Sequence, residues 1–271
     1  MNNFSKRIVF GAIYVSILTF AILFSKITFI SIFFLLMLIT LYEFNNIIRL
    51  KSLFPYLIGI LLFVFANALN VKGIHSRSLS EYAGIAVFLS FFGAFISILF
   101  TKKEKVISHL GKIFLSVIYI AVPFTLIAQI PFINNEFKFV NTTILGVFIL
   151  VWINDSFAYL VGKNFGKRKL LKRISPNKTI EGFLGGMLFT FVAGYLLSLF
   201  FIKLSVTNWL VFAAIVSTFG VLGDLIESMF KRQAGVKDSS NLIPGHGGFL
   251  DRLDSIIFAT PFIFIYLLII S

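Results

Sequence analysis

Nine apolar runs of about 20 residues follow one another along this chain, each long enough to cross ~30 Å of hydrocarbon as a helix. They lie near residues 8–25, 27–44, 53–70, 82–101, 110–133, 142–162, 183–202, 206–230 and 253–270. In lipid every backbone amide must find an internal partner, so the runs are expected to be helices; the two-residue alternation of a membrane barrel is absent. A mean hydropathy of +0.98 leaves no room for a sizeable soluble domain. The expected fold is therefore all-α, a polytopic membrane helical bundle of about nine transmembrane helices, with residues 1–271 as a single integral-membrane domain. The basic start "MNNFSKRIVF" precedes an apolar run too long for a signal-peptide core, so it is expected to remain as the first span.

Charge orients the bundle. If the nine spans alternate, nineteen of the 24 basic residues fall on one side, from Lys6 and Arg7 to Arg252. The other side receives Lys26, Lys72, Arg77, Lys138 and Lys203. The rich side is cytoplasmic by the positive-inside rule, which puts the N-terminus inside. The net charge of +13 is mostly this signal, and because the cations flank spans it points to anionic lipid rather than nucleic acid. The 36 phenylalanines are read as lipid-facing surface, and the absence of cysteine excludes a thiolate nucleophile and a thiolate zinc site.

The acids are distributed very differently. All five aspartates, Asp155, Asp224, Asp238, Asp251 and Asp254, lie beyond residue 154. Asp155 and Asp224 fall inside predicted spans, where an ionisable group is retained only at a cost and usually faces a cavity. Asp224, Glu227 and Ser228 share a helix face that Lys231 continues, which is also the pattern of a plain interfacial ion pair. Asp251 and Asp254 share the start of the last span. Just before them "PGHGG" surrounds His246 with glycines able to turn backbone N–H groups toward phosphate.

Carboxylates on two cytoplasmic helix ends make an oxygen-ligand site suited to Mg²⁺ and a polyphosphate, with Lys231, Arg232, Lys237 and Arg252 as counter-charge. The implied chemistry is phosphoryl or nucleotidyl transfer at the membrane surface. A transporter binding cations at Asp155 and Asp224 is the rival from another class, although no inverted repeat accompanies it. "GKNFGKRK" is not a P-loop, since only three residues separate its glycines and Arg168 stands where Ser or Thr is needed. Gly182 and Gly186 are read as a close helix contact, and Pro123 and Pro261 as kinks within spans.

The stretch "SMFKRQAGVKDSSNLIPGHGGFLDRLDS" closely resembles the signature of the CDP-diacylglycerol synthase (phosphatidate cytidylyltransferase) family. Further resemblance lies in "NDSFAYLVGKNFGK", "SPNKTIEGFLGG" and "GDLIESMFKR", so the motifs cover residues 154–261, and Glu43 is a weaker addition. The resemblance implies a Mg²⁺-dependent enzyme of the cytoplasmic membrane, its active site facing the cytoplasm, with or without a second metal ion. Such an enzyme joins CTP to phosphatidate and releases pyrophosphate. It also implies a homodimer. Carried onto this sequence, it assigns catalysis to Asp224, Asp251, Lys231, Arg232 and Lys237, and substrate binding to Ser175, Lys178, His246, Gly247, Gly248 and Arg252. Metal binding falls to Asp224, Asp251, Asp155 and Asp254. A related enzyme acting on a polyprenol or an ether lipid carries the same kind of motif, and the spans hold no readable code for the acceptor.

Overall fold

A computed structural model describes residues 3–72, 77–99, 106–133, 138–243 and 247–271. The chain forms two compact units, Met1–Phe139 with Ser239–Leu250 and Val140–Asp238 with Asp251–Ser271. The candidate residue His246 lies outside the described residues.

The first unit is built from α1 (Asn3–Phe24), α2 (Lys26–Ile47), α3 (Phe54–Lys72), α4 (Arg77–Leu99), α5 (Val106–Ser116) and α6 (Val122–Gln129). Ser25 separates α1 from α2, its hydroxyl accepting the Thr28 N–H at 3.1 Å as a helix cap. In α2, Phe29, Phe33, Met37 and Leu41 recur every fourth residue and are fully buried. A π-helical turn, Val117–Ala121, joins α5 to α6 immediately before Pro123, so that proline sits where the helix has already changed pitch.

Several buried polar groups in this unit find partners across helices. Gln129 Nε2 donates to the Ala66 carbonyl at 2.8 Å and to Asn67 Oδ1 at 3.1 Å, and Ser116 donates to Asn45. In a low-dielectric interior such pairing offsets the cost of burying them.

The second unit holds α7 (Asn141–Phe165), α8 (Ile180–Phe200), α9 (Val206–Ile215), α10 (Val221–Ala234) and, from Asp251 onward, α11 (Leu250–Ile269). Gly182 and Gly186 bring α8 against α7: a Cβ at either would stand 2.7 Å from the Ala158 carbonyl oxygen or 2.9 Å from that of Asn154. The expected close helix contact is therefore made. A second π-helical turn, Val216–Gly220, connects α9 to α10. Pro261 lies within α11, which continues past it to Ile269.

Among the described residues, six helical segments are long and apolar enough to cross a membrane: Lys26–Ile47, Val106–Phe132, Asn141–Phe165, Ile180–Phe200, Val206–Ala234 and Leu250–Ile269. Shorter apolar stretches occur within α1, α3 and α4, at Val9–Phe24, Phe54–Asn67 and Ile85–Ile96. The architecture is that of an all-α polytopic membrane protein with one departure. Between α7 and α8 the chain forms an antiparallel hairpin, β1 (Lys169–Leu171) with β2 (Ser175–Thr179). Glu181 holds its base, accepting the backbone N–H groups of Lys167 and Arg168 at 3.0 and 3.1 Å. Hydropathy is blind to such a strand pair, because its strands are too short to carry an apolar period and its order comes from hydrogen bonds.

Candidate active site

The polar residues of the second unit converge where α7, β2, α10 and α11 present their acidic and basic side chains. Asp224 stands in the first turn of α10, accepts the Ser228 hydroxyl at 3.2 Å, and forms an ion pair with Lys178 of β2. Glu227 follows one turn later and is almost fully buried, as is Asp254 of α11. One carboxylate oxygen from each of Asp224, Glu227 and Asp254 lies within 4.8 Å of the other two.

Gly223 permits this arrangement. A Cβ there would stand 2.6 Å from the Asp254 carbonyl oxygen and 2.6 Å from Phe258 Cβ, so only glycine lets α10 and α11 approach beside the two aspartates. Asp155 of α7 is within electrostatic reach of Asp224, Lys178 and Arg252, and Asp254 is within reach of Asp224, Glu227, Asp155 and Lys178.

Asp251 is held differently. Lys231 Nζ lies 2.5 Å from Asp251 Oδ1 and 2.5 Å from Glu227 Oε2, with all three side chains at most a tenth exposed. The two carboxylates thus share one buried ammonium. Glu227 is left with Oε1 buried and without a hydrogen-bond partner. A buried acceptor of this kind, facing two further carboxylates, suits a hard divalent cation that takes oxygen ligands. The donor set fits Mg²⁺.

Of the residues singled out in the sequence, the structure gathers Asp155, Asp224, Asp254, Lys178 and Arg252 into one electrostatic cluster, with Asp251 and Lys231 paired at its edge. Glu227, first read as a partner for Lys231, also contributes a carboxylate to the acidic group. The i, i+3 spacing from Asp224 was the signal that could have assigned it. Ser175 opens β2 and is half-buried. Arg232 and Lys237 are exposed, Arg232 donating to the Val236 carbonyl at 3.2 Å. Between them the chain leaves α10 through a left-handed Gly235 (φ 76°), where Val236 N–H returns to the Lys231 carbonyl at 2.9 Å.

Gly247 and Gly248 belong to the first unit. Gly247 has φ 83°, and its carbonyl accepts Ile243 N–H at 2.8 Å, closing the glycine loop upon itself.

A family model described as "Cytidylyltransferase family" matches residues 5–270. The chain belongs to the cytidylyltransferase family. Among curated relatives, the phosphatidate cytidylyltransferase of Bacillus subtilis is 35% identical over the full length of both chains. That of Staphylococcus aureus strain COL is 34% identical, covering 82% of this chain and 96% of its own. Identity to the Staphylococcus haemolyticus enzyme reaches 49% over 127 residues, 46% of this chain and 48% of that one.

Proposed function

We propose that this chain is a phosphatidate cytidylyltransferase: it condenses CTP with phosphatidate to give CDP-diacylglycerol and pyrophosphate. The observation that carries the reading is the Asp224–Glu227–Asp254 carboxylate group with Lys178 beside it, in a chain that matches this family from residue 5 to residue 270. The whole of residues 1–271 acts as one catalytic domain. In this reading the chain crosses the membrane nine times, with the N-terminus and the site on the cytoplasmic side where CTP is found, and the enzyme is a homodimer. The 19-to-5 distribution of basic residues supports that orientation.

The reaction needs no side-chain nucleophile. A phosphate oxygen of phosphatidate is already anionic near neutral pH and attacks the α-phosphorus of CTP, the bond to the β-phosphate oxygen breaks, and pyrophosphate leaves with that electron pair. What the protein must supply is positioning and relief of repulsion between two polyanions. Asp224, Glu227 and Asp254 would hold Mg²⁺, with Asp155 and Asp251 adding negative charge around them and space for a second ion. Bound there, Mg²⁺ supplies charge neutralisation of the triphosphate and of the departing pyrophosphate.

Lys178 is the cation best placed to exchange an acidic partner for a substrate phosphate, since it reaches the group from a hairpin rather than from a packed helix. Arg252, Arg232 and Lys237 are exposed and add positive charge for the triphosphate, and Ser175 offers it a hydrogen bond. Lys231 keeps the acidic group from repelling itself apart. The acyl chains of the lipid stay in the bilayer.

Purified protein given CTP labelled at the α-phosphate should transfer label to phosphatidate, lose that activity on chelation, and recover it with Mg²⁺. Label passing to a polyprenol acceptor and not to phosphatidate would overturn the assignment.

A further inference from the structure

We propose that Glu43 is a positioning residue that clamps the two ends of the glycine loop, residues 239–240 and 248–250, to one another. Glu43 lies in α2, far from the loop in sequence and fully buried. Its Oε1 accepts the Ser240 hydroxyl at 2.5 Å and the Phe249 N–H at 3.0 Å. Its Oε2 accepts the Leu250 N–H at 2.7 Å and the Ser239 hydroxyl at 3.4 Å. All four donors come from the loop.

The two amides have a particular meaning. The first N–H groups of a helix have no partner within it, and α11 begins at Leu250. A helix normally solves this with Ser, Thr, Asp or Asn at the preceding position, but Phe249 stands there and offers no acceptor. The cap is supplied instead by the carboxylate of a different helix. Because a buried carboxylate is costly unless fully hydrogen-bonded, loop and carboxylate fix one another: neither can shift without leaving polar groups unpaired.

Gly248 is explained by the same contact. It is buried, and a Cβ there would collide with both the Glu43 carboxylate and the Ser239 hydroxyl. The two adjacent glycines therefore answer different demands. Gly247 supplies the left-handed turn (φ 83°), and Gly248 makes room for Glu43.

Glu43 has both of its carboxylate oxygens taken up by the loop. It acts by setting the position of the loop backbone, and the chain continues from the clamped Leu250 directly into Asp251. That this loop serves CTP rests on the function proposed above; the clamp itself rests only on the contacts of Glu43.

The test compares Glu43→Gln and Gly248→Ala with Leu41→Ala, which opens a cavity in the buried face of α2 without touching the loop, in the full-length protein in lipid nanodiscs. Glutamine keeps the size of Glu43 but replaces one acceptor with a donor, so a backbone N–H must lose its partner. Hydrogen–deuterium exchange of the 239–250 segment and the KM for CTP should each rise roughly tenfold in both loop variants, the loss expected for a hydrogen bond to a charged group. Leu41→Ala should lower Tm and leave both quantities unchanged.

Wild-type exchange in the segment, or faster exchange with unchanged CTP kinetics, would overturn the proposal, as would Leu41→Ala reproducing both effects. If Glu43→Gln does not fold, Gly248→Ala decides by the same readouts, since it attacks the contact from the loop side. Should the purified protein cytidylylate a different lipid, the function above falls while the exchange measurement still tests the clamp.

Discussion

Lys231 Nζ lies 2.5 Å from Asp251 Oδ1, joining α10 to α11 through a buried ion pair that Glu227 also shares. This lysine is committed to holding carboxylates together. Lys231→Ala should therefore act first on folding, leaving two buried acids uncompensated at a cost of ~3–5 kcal/mol. Thermal unfolding in detergent checks it: a markedly lower Tm is expected, whereas a variant of wild-type stability with a raised requirement for CTP would assign Lys231 to the substrate instead.

Removing charge from the acidic group should act on metal binding. Asp224→Asn and Asp254→Asn would each delete a charged oxygen ligand of the proposed metal, and the Mg²⁺ concentration for half-maximal activity should rise at least about tenfold, as for loss of a charge-assisted contact. Binding of Mn²⁺, followed by electron paramagnetic resonance, should weaken in parallel without any reference to turnover.

Asp251→Asn should differ in kind. With that charge gone, Lys231 pairs wholly with Glu227 and withdraws it from the metal, so Mg²⁺ dependence should shift less than in Asp224→Asn. An Asp251→Asn protein that loses Mn²⁺ as completely as Asp224→Asn would make Asp251 a direct ligand.

Orientation can be read on the natural background, because the chain has no cysteine to remove. Single cysteines at Lys169, in the hairpin before α8, and at Lys203, just after it, should react with an impermeant thiol reagent from opposite sides of the membrane. The expected result is Lys169 inside and Lys203 outside. Labelling of both from one side would refute the alternating topology.

The local code was legible in the sequence wherever one dimension sufficed. Apolar run length marks a membrane helix because a helix must span a fixed thickness of hydrocarbon, and α2, α7, α8 and α11 lie where hydropathy placed them. The small residues at Gly182 and Gly186 announced a helix contact for an equally local reason, and the signature around Asp224 and Asp251 announced the chemistry. The hairpin Lys169–Thr179 escaped, since its two short strands carry no apolar period and its order comes from pairing and from the Glu181 carboxylate.

Partner choice was decided only by tertiary structure. Asp224, Glu227, Asp251 and Asp254 are similar carboxylates at similar helical spacings, and nothing in their order says which share a site and which share a lysine. The rotation of α10 against α11, set by the absence of a side chain at Gly223, decides that Asp254 joins Asp224 and Glu227 and that Asp251 shares Lys231. In the other unit the acceptor for the Phe249 and Leu250 amides comes from Glu43, some two hundred positions earlier in the chain. Sequence fixes spacing along one helix; a contact between helices depends on how their backbones pack, and that is a property of the folded chain.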